Sequence, residues 1–431
     1  MPGVEVGQDQ RAAVSVGLPR WPGRVLLVGL ALNMFAGEWY RVGVPLPLDR
    51  VALLAALALL WRERRRWRDS IGWRPIHGVM VAFLALAVVS GLAVGSVLQS
   101  GGFFALLDRV AIPFLLFALA PAFFPEATDR RWLLRGLVLV GLYMSVTGIR
   151  SVTGPSALLF PHYIADPTAG IGYGRARGPS LEAVGTGLDV IVCGLAAAVV
   201  AWRERGGWRW LGSATVATSA VAVVLSQTRS IWLGALVALA VVAVRERRAR
   251  RAVPVLLLVT ALVAGAMLAL VPGLLATSEA RLTTVRSIDD RTTTNAAAVR
   301  MTLDHPLTGV GWSEFLNEVE SNVRQPELGP ITAVHIEAHN VFLARAAELG
   351  VPGLLLWAVL VLMGPLRLLV ARVHSAEAVG VYIVAVGSAA AWFVASMAAP
   401  LSQPLPNYLV WLLAGVALAQ SDGRRRSLTV E

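Results

Sequence analysis

Lysine is absent from the 431 residues, and cysteine occurs once, at Cys193. A lone cysteine excludes an internal disulfide framework and a cysteine metal cluster, and it argues against redox chemistry. Charge of either sign is scarce, because Asp, Glu, Lys and Arg together make only 15% of the chain. Apolar residues make 56% and the mean hydropathy is +0.65. A single soluble core cannot bury that much apolar surface, so the chain is read as an integral membrane protein without a soluble domain. It also shows no internal repeat.

The net charge of +11 rests entirely on arginine, and the placement of the arginines argues against nucleic acid as a partner. They cluster in short gaps between apolar runs: Arg62 to Arg68, Arg130 and Arg131, Arg203 and Arg205, Arg245 to Arg251, and Arg424 to Arg426. These gaps alternate along the chain, as the positive-inside rule requires of cytoplasmic loops. Runs long enough for a bilayer lie near residues 24–42, 46–61, 77–98, 103–123, 132–150, 183–201, 210–226, 230–244, 253–275, 341–370, 378–398 and 405–420. The expected fold is therefore an all-α polytopic membrane protein of about twelve transmembrane helices, each near 20 residues. Glu38 and Arg41 interrupt the first run, and the tail before it lacks a signal-peptide cleavage site. Arginines before the first run and after the last place both termini in the cytoplasm.

The chain is thus expected to be a single multi-pass domain over 1–431, with two long extracytoplasmic segments at 151–182 and 276–340. Segments of that length exceed ordinary turns, and function is expected on their side of the membrane. The second contains DDRTTTNAAAVRMTLDHPLTGVGWSEF, residues 289–315, which reads as a helix with Asp290 as N-cap and His305–Pro306 as its stop.

Three residues on that outer side run against their surroundings. Arg229 lies in SQTRSIWLG at a minimal turn between two spans, where a cation invites either a snorkelling head group or a bound anion. Arg291 would occupy the first turn of its helix, where the macrodipole disfavours it unless an anion, or Asp289 or Asp290, compensates. Arg300 lies nine residues further on and hence on the opposite face, which makes it the reserve. His339 stands before a helix expected to begin at Asn340, whose positive end favours a neutral, proton-accepting imidazole over a mere capping or packing role. Pro352, Gly350 and Gly353 allow a bend in that helix. HIEAH, residues 335–339, is not the HExxH order, so neither metal nor other cofactor is expected.

These segments resemble, in order, the O-antigen ligase and polymerase superfamily, whose shared region is often called Wzy_C. AHNVFLARAAELGVPG (338–353) resembles its HN-x-x-L…E-x-G-x-x-G element, and residues 289–315 resemble its Arg, short helix, P-x-x-G-x-G and aromatic pattern. TRS at 228–230 resembles its Ser-Arg turn, with Thr228 in place of serine, and RARGPSLEAVG (175–185) resembles its Arg-x-x-Gly element. Asn295 departs from a common aromatic. The resemblance spans about 175–365. It implies a GT-C-like glycosyltransferase with a large helical extracytoplasmic loop in the bacterial cytoplasmic membrane.

By the same resemblance the donor is an undecaprenyl-diphosphate-linked glycan, used without a metal, and the acceptor a glycan, lipid or protein hydroxyl. His339, Arg291 and Arg229 would then be catalytic, with inversion at the anomeric carbon. Asn340, Arg300, Arg177 and Glu348 would bind substrate or line the cavity. Ligase, polymerase and protein O-glycosyltransferase share this donor, and the sequence leaves all three open. The alternative of another class is a transporter or flippase of an anionic lipid-linked glycan; that reading meets the lack of paired, broken spans in two related halves.

Overall fold

The computed structural model describes residues 20–67, 71–154, 157, 159–247, 249–270, 286–322, 337–373, 375 and 377–427. Parts of both predicted outer segments, including 276–285 and 323–336, and both extreme termini lie outside the described residues. Among the described residues the chain is helical throughout and contains no strand. The main helices are α1 (Trp21–Asn33), α2 (Leu48–Arg62), α3 (Pro75–Ala93), α4 (Ser100–Phe123), α5 (Ala127–Thr153), α6 (Ala183–Arg203) and α7 (Gly207–Leu225). They continue as α8 (Arg229–Arg245), α9 (Ala249–Leu270), α10 (Arg286–Asp304), α11 (Phe315–Asn322), α12 (Val341–Met363), α13 (Ala378–Ser396) and α14 (Pro404–Ser427).

Seven helices, α3 to α7, α12 with its 3-10 extension to Leu369, and α13, are long and apolar enough to cross a membrane. The protein is a polytopic, all-helical membrane protein on that count. Three further predicted spans coincide with α1, α2 and α8, which are shorter, at 13, 15 and 17 residues, and the remaining two fall on α9 and α14, each of which includes residues whose side chains lie outside the described ones.

Helices α6 and α13 are enclosed most completely and form the centre of the bundle. Small residues let the neighbours approach closely, as membrane helices require where hydrophobic driving force is weak. A Cβ added at Gly141 of α5 would meet Cys193 of α6 at 2.4 Å, and one at Gly212 of α7 would meet the Ala197 carbonyl at 2.8 Å. On the other flank, Phe83, Phe114, Trp357, Trp392 and Trp411 stack edge-on and tilted, locking α3, α4, α12, α13 and α14 together.

A smaller core sits beside the bundle and positions the residues of interest. Ala297, Ala298 and Met301 of α10 pack with Phe315 and Val319 of α11 and with Ala338 and Ala347 at the start of α12. Arg291 and Thr294 extend this apolar stripe at helical spacing, so they share the face that looks toward α12. Arg300 falls on the opposite face. Helix α10 already includes Arg286, which corrects the expected start at Asp290 and moves Arg291 from the first turn into the second. Its end at Asp304 matches the expected His305–Pro306 stop.

Helix α12 breaks at Gly350, whose φ of 68° and ψ of −170° no helix contains. Pro352 has no N–H to give the Glu348 carbonyl, and that carbonyl accepts instead from Gly311 N at 3.0 Å. Val351 N turns to Pro306 O at 2.8 Å, while Ala347 O accepts from Val310 N at 2.8 Å. The break in one helix thus creates the docking strip for the segment 306–311. Trp312 completes the docking: its indole N–H donates to Gly102 O at 3.2 Å, and its backbone binds Ser90 and Ser96 of the α3–α4 region.

Candidate functional site

Four elements deliver three arginines and a histidine to one end of the bundle. Arg229 opens α8 behind its N-cap Thr228, and Arg291 projects from α10. Arg175 lies in the turn-rich segment before α6, and His339 stands one residue before the N-cap of α12. Burial lowers the Arg291 guanidinium from its ordinary pKa, and the proximity of Arg229 lowers it further. Burial lowers Arg175 as well, with Arg291 as the second cause. Arg291 therefore lies between two further guanidiniums in a partly desolvated place, a charge pattern that suits an anionic ligand.

His339 shares this electrostatic neighbourhood. Burial first, then Arg291, push its imidazole down to about 4, while the Glu337 charge and a hydrogen bond with the Glu337 backbone oppose the shift. The ring is consequently neutral across the physiological range. Thr294 Oγ1 lies 3.5 Å from His339 Nδ1, one helical turn beyond Arg291. Asn340 caps α12 by accepting from Phe342 N at 2.9 Å and Leu343 N at 3.2 Å, which directs the positive helix end toward this region.

The remaining predicted residues are placed elsewhere. Arg177 is buried, and its guanidinium donates to the carbonyls of Ala169, Ile164 and Asp166, knitting the loop before α6. That arrangement gives it a scaffolding role, where the sequence suggested contact with the acceptor. Arg300 binds the Asn322 carbonyl at the end of α11, 2.8 Å from Nε. Glu348 pairs with Arg345 at 2.7 Å inside the bundle, and Arg345 in turn stacks over Trp312 at 4.6 Å. Asn340 spends its carbonyl oxygen on the cap. The side chains of Asp289 and Asp290, the expected alternative partners of Arg291, lie outside the described residues.

Two residues of the cluster escaped the sequence reading. Arg175 shares the RARG element with Arg177, and only the fold tells which one neighbours Arg291. Thr294 had a legible signal, since it follows Arg291 by three residues on one helix face. Asn295, adjacent to it, has a buried Oδ1 with no protein partner, a free acceptor beside the arginines.

Residues 214–358 match the sequence model described as O-Antigen ligase. Over that segment the chain is similar to the O-antigen ligase family. The matched segment runs from the middle of α7 into α12 and contains Arg229, Arg291, Thr294 and His339. Arg175 and Arg177 lie ahead of it, so the O-antigen ligase segment meets the third guanidinium from outside its own bounds. No curated protein matches the chain.

Proposed function

We propose that this protein transfers a glycan from an undecaprenyl-diphosphate-linked donor to an acceptor hydroxyl at the outer face of the cytoplasmic membrane. The carrying observation is that Arg291 neighbours a neutral His339 on one side and the guanidiniums of Arg175 and Arg229 on the other. A diphosphate supplies the negative charge that relieves the mutual repulsion of the guanidiniums. Forked guanidiniums suit phosphate oxygens bidentately, and they neutralise the leaving group as a divalent metal does in other glycosyl transfers.

The chemistry balances with these groups alone. The acceptor oxygen attacks the anomeric carbon as its proton passes to the His339 imidazole, and a new glycosidic C–O bond forms. The bond from that carbon to the phosphate oxygen breaks on the opposite face, its electron pair leaving with undecaprenyl diphosphate. The outcome is inversion. Arginines fixed before the reaction stabilise charge that develops only in the transition state, which is where binding energy raises the rate.

The test is turnover in vesicles containing the purified protein and a radiolabelled polyprenyl-diphosphate glycan. Wild-type protein should release polyprenyl diphosphate and glycosylate the acceptor. Replacement of His339 by Ala should cut turnover by about 10²–10⁴-fold while donor binding persists, the range lost with a general base. A transporter would move the donor across the vesicle without cleaving it and would tolerate the substitution, and that result would refute glycan transfer.

A further inference from the structure

Glu337 stands two residues before His339 and belongs to neither the arginine cluster nor the small core around α10. Its carboxylate is gripped from two distant parts of the chain. Arg109 Nη2 of α4 lies 2.6 Å from Oε1, and Ser402 Oγ, just before α14, lies 2.6 Å from Oε2. Burial works to raise the Glu337 carboxyl, but Arg109 and the Ser402 hydroxyl outweigh it and hold the group below its ordinary pKa. The Glu337 backbone meanwhile hydrogen-bonds the His339 ring.

The origin of Arg109 is informative. It sits in a π-helical turn, Leu107–Ala111, inside the otherwise regular α4. A π turn inserts a residue and re-aims the side chains around it, at a cost in backbone hydrogen bonding, and such turns concentrate at functional positions. Here the neighbouring Asp108 is tied to Arg50 at 2.8 Å and Tyr408 at 2.7 Å, so both sides of the bulge are fixed. A partly buried ion pair contributes little net stability once desolvation is counted, which leaves geometric definition as its effect. Glu182 reinforces the choice of partner. Its Oε2 is buried without a hydrogen-bond partner, and burial together with the Glu337 charge pushes this carboxyl up to about 7, leaving Glu337 as the better anion for Arg109.

We propose that the Arg109–Glu337 ion pair, closed by Ser402, is the positioning device that ties residues 337–339 to the membrane bundle and so sets the His339 ring against Arg291. The inference rests on the reading of His339 as the acceptor base. None of the three residues holds the donor, so their loss should act on the chemical step and spare donor affinity.

The full-length protein in vesicles allows two independent readouts. In turnover assays, Glu337→Gln and Arg109→Gln should each lower kcat by about 10- to 100-fold, the scale of a misplacement near 1 Å, with donor KM within about twofold. The charge-reversed pair Arg109→Glu with Glu337→Arg should recover about tenfold over either reversal alone. If the neutral variants fail to fold, Arg109→Lys and Ser402→Ala, which keep the charge pair, should still lower kcat by roughly 3- to 10-fold without shifting the thermal midpoint. The second readout needs no activity: acylation of His339 by diethyl pyrocarbonate, mapped by mass spectrometry, should accelerate in each variant as the ring is released. An unchanged acylation rate, or a kcat loss that merely tracks loss of folded protein, overturns the clamp. Wild-type protein that transfers no glycan while its variants still show faster acylation overturns only the assigned reaction.

Discussion

Arg175 and Arg177 are two residues apart, yet one faces other guanidiniums and the other faces carbonyl oxygens. Substitution should separate them cleanly. Arg177→Met strands three buried carbonyls, each bond to a charged donor being worth about 1.5–3 kcal/mol, so the protein should lose thermal stability in detergent with donor KM little changed in what remains folded. Arg175→Gln removes one phosphate partner and should raise donor KM roughly tenfold, about 1.4 kcal/mol, with an unaltered thermal midpoint. Arg177 entered the sequence reading through the resemblance of the RARG element, and the turn before α6 is what separates it from Arg175. For His339 the local sequence was more telling, since a helix start beside a histidine already favours the neutral ring. Arg291 was chosen for a partly mistaken reason, because its helix begins earlier than the Asp290 signal suggested. The pH profile follows from the same imidazole. In free protein the ring protonates near 4 and not at the ordinary 6.5, so kcat/KM should hold steady as pH falls from 8 to about 5. Bound diphosphate offsets Arg291 and favours the protonated ring, so the acid limb of kcat should lie at higher pH than that of kcat/KM. A limb of kcat/KM centred at 6.5 would show that the ring is not held in this environment.

At the scale of elements, the interlock between the broken helix α12 and the segment 306–312 holds α10 over the membrane bundle. Gly309 adopts a φ of 65°, and a Cβ there would lie 2.3 Å from the Glu348 carbonyl carbon. Gly309→Ala therefore combines a left-handed backbone, about 1–2 kcal/mol, with overpacking against backbone that cannot yield, about 1–3 kcal/mol. The expected result is a lower thermal midpoint together with loss of turnover, because Arg291 and Thr294 ride on the displaced helix. Gly78→Ala, which adds a methyl to open space on α3, should be neutral or slightly stabilising. A Gly309→Ala protein with wild-type stability and turnover would show that this interlock does not position the site. The sequence reading anticipated a bend from Gly350, Pro352 and Gly353. What it could not supply was the partner strip, because hydrogen bonds between 306–311 and 347–351 depend on a pairing that local pattern does not encode.

At the scale of the molecule, helix direction puts the four grouped residues at one end of the bundle. Helices α6 and α8 begin beside them, and the same helices finish at Arg203 and Arg245. Hydropathy made the membrane class plain from sequence, and it located the seven helices that meet the spanning criterion. The runs at 24–42 and 46–61 fold as the shorter helices α1 and α2, packed as a pair. Nor do all the clustered arginines serve topology alone: Arg130 donates to the Pro125 carbonyl at 2.6 Å, and Arg245 donates to the Tyr382 hydroxyl at 3.0 Å. The proposed orientation rests on the positive-inside rule, by which Arg203 and Arg245 would face the cytoplasm and the four grouped residues the outside. Cys193 makes this measurable, since its side chain is fully buried and no other cysteine competes. In a Cys193→Ala background, Asn317→Cys on exposed α11 should react with a membrane-impermeant maleimide in intact cells. Gly207→Cys at the start of α7, where an added side chain meets open space, should react only after permeabilisation. The reverse pattern would put the arginine cluster on the cytoplasmic side, where the proposed outer-face transfer has no place, whatever the geometry of His339.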